Sequence, residues 1–285
     1  MSNTVNKRAE GYYDDAQILY NLFWSDKALH YGFWNKDTKR LSDAIKNTDV
    51  FVSELLNLQK NDRVLDVGCG VGGTSLFIAE KFGAEVVGIN LSRTQLKQAR
   101  EKAKGLKLEN LVSFEIMDFN KTKFRDGTFT KIFGIESVCH ANNKLHFLKE
   151  TYRLLKPGGR IVVADGFLKK RKLTQEEEDI YNKCLRGWKV LNLSHKAEFL
   201  KDLREAGFKK IKFYDKTDEI IPSSRRMALL GYLGFPFAFI LSRLDIIRKN
   251  LYENYVAMIN QQKTFNNFTL YGVFVAEKGN RKKDK

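Results

Sequence analysis

An α/β fold is what the sequence predicts, with a mainly parallel sheet of seven strands, helices on both faces and a helical cap. Three observations predict it. Short β-branched runs alternate with apolar-periodic segments of helical length, the pattern of strand–helix units that build parallel sheets. A glycine cluster, Gly68-Cys69-Gly70-Val71-Gly72-Gly73, follows the first of these runs directly, where a Rossmann-like fold turns from strand to helix. The 285 residues, 43% hydrophobic and 12% aromatic, exclude a disordered chain and suffice for one sizeable core, most simply a single domain over 1–285.

Taken in order, residues 1–60 read as a helical lead-in that closes with a helix near 40–57. The core occupies 61–166, with strands near 63–67, 85–89, 112–116, 131–135 and 160–165 and helices near 74–82, 93–105 and 143–155. A helix near 196–206 and strands near 210–214 and 270–276 complete the sheet, the last strand antiparallel. Two stretches exceed what the sheet needs. Residues 171–195 separate the fifth strand from its helix, and residues 223–267 separate the last two strands, too long for a structureless connection. The second reads as two helices, carrying Met227, Leu230, Leu233, Phe237, Ile240 and Leu241, then Ile246, Leu251, Tyr255, Met258 and Ile259. In this reading both insertions form a cap over the site.

Residues 64–73 read Val-Leu-Asp-Val-Gly-Cys-Gly-Val-Gly-Gly. Glycine admits positive φ and lets backbone N–H groups approach a ligand with no Cβ in the way. The spacing of Gly68, Gly70 and Gly73 satisfies G-x-G-x-x-G, so dinucleotide binding has to be weighed. That reading wants an acid about twenty positions on for a ribose hydroxyl, and the next strand, 85–89, leads into Asn90. Asp66, by contrast, sits inside the first strand, two residues before the first glycine, where it can face an ammonium group. Asp66, Asn90, Asp118, Glu136 and Asp165 all fall at or near strand carboxyl ends, the rim where such sheets bind ligands.

The run Val64-Leu65-Asp66-Val67-Gly68-Cys69-Gly70 resembles motif I of the class I S-adenosylmethionine methyltransferases. Three further segments are similar to that family in the expected order: residues 86–100 to its second strand and ribose loop, Phe114–Phe119 to its third strand, and Arg153–Gly166 to its late helix, Pro-Gly-Gly turn and fifth strand. The resemblance implies S-adenosylmethionine as cofactor, held by Asp66, Gly68, Gly70 and Gly72 at the turn. It further implies Asn90, Leu91 and Gln95 around the ribose and Asp118 with Phe119 at the adenine. The loop Asn90-Leu91-Ser92-x-x-Gln95 resembles a subset that includes tocopherol- and sterol-type C-methyltransferases, where an amide or hydroxyl serves the ribose. Gly11–Trp34 is similar to the lead-in of that subset and of cyclopropane fatty acid synthases. That implies an aromatic turn closing over the methionine end, with His30 and Tyr31 at the carboxylate or sulfonium and Tyr13 nearby. Aromatic faces suit a sulfonium; an amphipathic helix and turn packed on the core is the plain alternative. Cyclopropane synthases carry a different aromatic turn, so their lipid substrate does not transfer.

Methyl transfer from a sulfonium is an in-line displacement in which alignment and desolvation do much of the catalysis. A base is needed only where the nucleophile must lose a proton. The fourth strand and its loop, Phe133–Lys144, place Glu136 and His140 where both can face the methyl group. This E-x-x-x-H arrangement resembles that of sterol and tocopherol C-methyltransferases and of sugar O-methyltransferases. In the latter the resemblance implies a histidine base with an acid at the end of the fifth strand, here His140 and Asp165. A neutral imidazole near pKa 6.5 can accept a hydroxyl proton, with Asp165 fixing its tautomer. For methylation at carbon, Glu136 or His140 would stabilise a cation or take a proton from carbon. The alternatives are that His140 caps the next helix and that Glu136 serves the cofactor.

Three scattered cysteines, Cys69, Cys139 and Cys184, make no disulfide framework, and no C-x-x-C suggests metal, so no metal is expected. Met1–Glu10 lacks the apolar core of a signal peptide, and the longest apolar run, Met227–Leu241, is shorter than the ~20 residues that span a bilayer, which fits a cytoplasmic setting. The net charge of +16 is spread along the chain, with clusters at Lys169–Lys172, Lys209–Lys212 and Arg281–Lys285. A solvated basic surface explains it first, contact with an anionic membrane or acidic substrate second, nucleic acid last. The cap's aromatic residues, among them Tyr232, Phe235, Phe237, Phe239, Phe265 and Trp188, suit a hydrophobic acceptor, though a helical core explains them too. Arg225-Arg226 before an apolar helix suits a membrane surface. The expected activity is methylation of a small amphipathic or lipid-like, isoprenoid-type acceptor at carbon. The alternatives are O- or N-methylation of a sugar or natural product with His140 as base, and, more remotely, a noncatalytic nucleotide-binding or RNA-associated protein.

Overall fold

The computed structural model describes Ala28, residues 30–244 and residues 249–280. Tyr13, Ile246 and most of the expected lead-in before residue 28 lie outside the described residues. In chain order the elements are α1 (Leu41–Leu56), β1 (Arg63–Val67), α2 (Gly73–Phe82), β2 (Glu85–Asn90), α3 (Arg93–Gly105), β3 (Val112–Ile116) and β4 (Phe129–Ile135). There follow α4 (Lys144–Leu154), β5 (Leu155–Leu168), α5 (Gln175–Trp188), α6 (Lys196–Glu205), β6 (Phe208–Asp215), α7 (Thr217–Arg243), α8 (Lys249–Asn267) and β7 (Thr269–Lys278). The seven strands form one sheet in the order β3-β2-β1-β4-β5-β7-β6, with β7 antiparallel to both its neighbours.

Successive residues of a strand point to opposite faces, and the core divides accordingly. Val64, Val86, Val162 and Val273 join a cluster with Val52 and Leu56 of α1, Leu76 of α2 and Leu96 of α3. Leu65, Val87, Ile161 and Phe274 join another with Phe147 and Leu148 of α4 and Phe199 and Leu203 of α6. Helices therefore cover both faces, which is why these strands read as nearly continuous apolar runs.

Two boundaries and one orientation differ from the sequence reading. Pro157-Gly158-Gly159 makes no turn between helix and strand. β5 starts at Leu155 and the glycines fall within it, where the pairing with β4 shifts register between Phe129 and Lys131. The first cap helix, expected from residue 223, begins six residues earlier and runs through Pro222 and Pro236. Asp218 and Glu219 in its first turn favour the N-terminal end of the helix dipole. The Ser223 hydroxyl, beside the first proline, takes N–H groups from Gly32 and the Trp34 indole, docking α7 on the lead-in loop. Finally, of the cap aromatics expected to line a pocket, Tyr232, Phe237 and Phe239 face outward.

α8 packs against both α5 and α7. Small residues bring these helices together: a Cβ at Gly187 would collide with the Glu253 carbonyl and Ala257, and one at Gly231 would lie 2.9 Å from Met258. Among the described residues no helix is long and apolar enough to cross a membrane.

Candidate functional site

In a sheet of this order the chain reverses direction of winding between β1 and β4, and the crevice beyond their carboxyl ends is where ligands bind. A cavity of about 250 Å³ opens there. It is walled by the ends of β1, β2, β4 and β5, by the lead-in loop at His30 and Tyr31, and by residues of α5, α7 and α8.

The glycine turn supplies the floor. Gly68 has φ +80° and no room for a side chain, since a Cβ there would run into Ser137. Gly70, at φ +53°, lines the cavity, yet a Cβ on it would meet nothing within 4 Å. That open volume is a cradle for a ligand. Gly72 does not line the cavity; it precedes α2, with Phe114 and Ala99 where its side chain would be, so it serves packing rather than the contact expected of it. Asp66, one turn of chain before, is buried and accepts the Ser75 hydroxyl at 2.6 Å. Burial, opposed by that hydrogen bond, pushes its carboxyl up to about 7. A buried acid in this state is stabilised by an incoming cation.

His30 provides the complementary charge. Its Nδ1 lies 2.9 Å from the Tyr31 carbonyl and its Nε2 3.4 Å from the Asp49 carboxylate. Burial works against the imidazolium, but the Asp49 hydrogen bond and charge, with the charge of Glu136, push His30 up to about 9. Asp49, from the buried side of α1, also accepts the Thr74 hydroxyl at 2.6 Å. A cation and a carboxylate thus sit on the cavity wall, matching the carboxylate and ammonium of an amino acid end.

On the far side Asn90 donates to Gln95 Oε1 at 2.7 Å and accepts the Leu91 N–H, while Ser92 caps α3 by accepting from Gln95 N. Asn90, Leu91 and Gln95 all line the cavity, as do Met117 and Phe119. Asp118 lies between those two, two residues past β3, outside the lining; its Oδ1 accepts both the Asn120 backbone N–H and side-chain amide.

Glu136, His140 and Asp165 all line the cavity. Glu136 holds a left-handed conformation, φ +51°, a strained position for a residue with a Cβ. Its Oε1 accepts the Tyr31 N–H at 2.8 Å and the Tyr271 hydroxyl at 2.9 Å, tying the lead-in to β7. Burial, opposed by His30 and these two bonds, pushes its carboxyl up to about 7. Burial, reinforced by the Lys144 ammonium, pushes His140 down to about 4, well below the range expected from the sequence, and the Lys189 backbone hydrogen-bonds it. The capping alternative fails, because Asn143 caps α4 by accepting the His146 N–H. Asp165 accepts the Cys139 N–H on one oxygen and the Gly166 N–H on the other, so backbone groups set its orientation. Burial nonetheless raises its pKa.

Sequence reasoning missed Asp49, Thr74, Lys144 and Gln261. Lys144 folds over the loop after β4, donating to the carbonyls of Cys139, Ala141 and Asn192. Gln261 Oε1 accepts the hydroxyls of Tyr31 and Ser224 at 2.9 Å each, latching the lead-in loop to α7 and α8. The available signal was a polar residue on the apolar stripe of a helix, as with Asp49 in α1.

Comparisons with known proteins point to one family. Residues 2–201 match the family described as mycolic acid cyclopropane synthetase. The chain is 35% identical over 167 residues to methyltransferase GfsG of Streptomyces halstedii, covering 58% of this chain and 60% of that protein. It is 29% identical over 238 residues to the chloroplastic tocopherol O-methyltransferase of Arabidopsis thaliana, covering 78% of this chain and 68% of that one. The match thus spans about three fifths of the first relative's length. Among solved structures, the [4+2]-cyclase SpnF superimposes with a TM-score of 0.79 at 23% identity, over 95% of each chain, a likeness of fold alone. A family match over most of the chain, a glycine cradle left open to a ligand and a buried acid near a buried imidazolium converge: the chain belongs to the mycolic acid cyclopropane synthetase family, on a sheet of the methyltransferase order.

Proposed function

We propose that the acceptor is an uncharged, hydrophobic small molecule of isoprenoid type, methylated at carbon. One observation carries the reading. The cap side of the cavity is built from Tyr181, Cys184, Leu185, Trp188, Met227 and Phe265, and among the described lining residues there is no lysine or arginine. A phosphorylated or carboxylated acceptor would give up its hydration there with no counter-ion, which is costly. The lining instead stabilises a ligand by apolar burial.

When bound, S-adenosylmethionine supplies an electrophilic methyl group. Asp66 and His30 would hold its ammonium and carboxylate, and Asn90 with Gln95 its ribose. Attack by a carbon–carbon double bond leaves positive charge on the acceptor, and the rings of Tyr271 and Phe265, each in edge contact with Tyr31, offer faces that favour it. Glu136, close to half-ionised at neutral pH, supports removal of the carbon-bound proton after transfer. His140, neutral at that pH, adds no repelling charge.

A second reading is O-methylation with His140 as base, favoured by its place in the same cavity as Asp165 and by the O-methyltransferase name of the tocopherol-type relative. The test is incubation with isotopically methyl-labelled cofactor and a host lipid extract, followed by mass spectrometry and single-turnover assays at pH 5–9. Carbon methylation predicts a label that survives ether cleavage and a rate rising as pH passes about 7, lost in Glu136→Gln. Label on oxygen, a pH-flat rate over that span and a roughly 10²–10⁴-fold loss in His140→Ala establish the second reading instead. Label in a phosphorylated, water-soluble product overturns the hydrophobic acceptor itself.

A further inference from the structure

Helix α7 has two faces, and the cavity uses one. Met227, Ala228, Gly231 and Ala238 are buried, and Met227 reaches the cavity. The opposite face is apolar and open: Leu229, Tyr232, Leu233, Phe237, Ile240 and Leu244 are exposed, Leu233 at 64% and Phe237 at 69% of their surface. At about 100° per residue these side chains fall on one stripe roughly 22 Å long. Exposed Arg225 and Arg226 stand at its start and exposed Arg243 near its end. The acids of its first turn, Asp218 and Glu219, lie about two turns before the arginines.

We propose that this stripe docks α7 flat on an anionic lipid bilayer, with its apolar side chains among the upper acyl segments and its arginines at the phosphate level. Charge chooses between the occupants such a surface could take. A second copy packed helix against helix would set arginine against arginine, since both ends of the stripe are cationic, in either relative direction. An anionic bilayer meets all three with the opposite charge. The chain's net charge of +16 favours the same surface. An amphipathic helix with an apolar face and basic flanks lies in the interface rather than across it, and α7 is not apolar enough to cross. Because α7 also roofs the cavity, docking would bring the acceptor site beside the bilayer. That consequence, but not the docking, rests on the hydrophobic acceptor proposed above.

The experiment is co-sedimentation of the full chain with vesicles of phosphatidylcholine alone or mixed with phosphatidylglycerol, with no acceptor added. The chain should bind the mixed vesicles at least about ten-fold more than the neutral ones, and lose binding as salt is raised. Leu233→Glu and Phe237→Glu, and separately Arg225→Glu with Arg226→Glu, should each weaken binding by about ten-fold or more. All should keep wild-type affinity for S-adenosylhomocysteine, which shows them folded. Absent or charge-independent binding of the wild type, or variants that bind as it does, would overturn the proposal. So would a concentration-dependent dimer abolished by Leu233→Glu, which assigns the stripe to a second copy. A water-soluble acceptor found alongside intact vesicle binding defeats the acceptor reading and leaves docking standing.

Discussion

Asp66 and His30 line the cavity in surroundings that, more than their identities, set their charge, and the proposed cofactor contacts follow from that charge. With its carboxyl pushed up to about 7, Asp66 is largely protonated at pH 6 and largely ionised at pH 8, and only the ionised form attracts an ammonium. Cofactor affinity should therefore rise with pH through about 7 and release a proton on binding. Calorimetry in buffers of different ionisation enthalpy reads both, and Asp66→Asn should flatten the profile and cost roughly 1.5–3 kcal/mol at pH 8. The stability effect has the opposite sense. A pKa raised on folding contributes stability that is fully present below the ordinary carboxylate range and lost as pH rises through about 7, so Asp66→Asn should be more stable than wild type at pH 8. For His30, also raised, the contribution to cofactor affinity should be steady through neutral pH, so the rise set by Asp66 should give way to a fall as pH passes about 9. Asp49→Ala removes the hydrogen bond and charge that hold the imidazolium, leaving burial to push the pKa down. That variant should lose about 1–3 kcal/mol of affinity at pH 7.5, with the descending limb moved to lower pH.

At the scale of elements, the turn after β1 separates two duties of glycine. Gly68→Ala meets Ser137 and should destabilise the fold, lowering the melting temperature in calorimetry. Gly70→Ala meets no protein atom, so beyond the left-handed strain of about 1 kcal/mol it should spare the fold and weaken cofactor binding. Equal loss of stability in both would refute the cradle. The second element-scale device is the latch at Gln261, buried between α7 and α8, where one side chain holds Tyr31 and Ser224 and donates back to the Ser224 carbonyl. Gln261→Ala strands those groups and should cost about 1–3 kcal/mol. Hydrogen exchange should then quicken in α7 and α8 while β1, β4 and β5 keep wild-type protection. The strands and helices of the sheet were legible because each buries a face with its own period, as the alternation of Val64 and Leu65 between two core clusters illustrates. The start of α7 was not, because Pro222 reads locally as a break and only the docking of Ser223 on Gly32 and Trp34 explains its tolerance.

For the whole molecule, the cavity joins parts far apart in the chain, so filling it should stabilise the fold as a unit. At a hundred times its dissociation constant a ligand adds about 2.7 kcal/mol, roughly 5–10 °C in melting temperature for a chain of this size. S-adenosylhomocysteine should produce that shift and NAD should not; a shift with NAD alone would contradict the cofactor assignment. What the sequence by itself determined is the alternating sheet, the glycine turn with its preceding acid and the convergence of Asp66, Asn90, Glu136 and Asp165 on one rim. These are properties of periodicity and strand ends, which need no knowledge of neighbours. Only the tertiary structure decided which groups are charged and which faces are open. Glu136 meets Tyr31 and Tyr271 across 105 and 135 residues of chain. His140 and His30 share a side chain but differ by about five pKa units, about 4 against about 9. The aromatic stripe expected inside the cap lies partly outside it. Desolvation and charge pairing depend on what encloses a group, and enclosure exists only once the chain has packed.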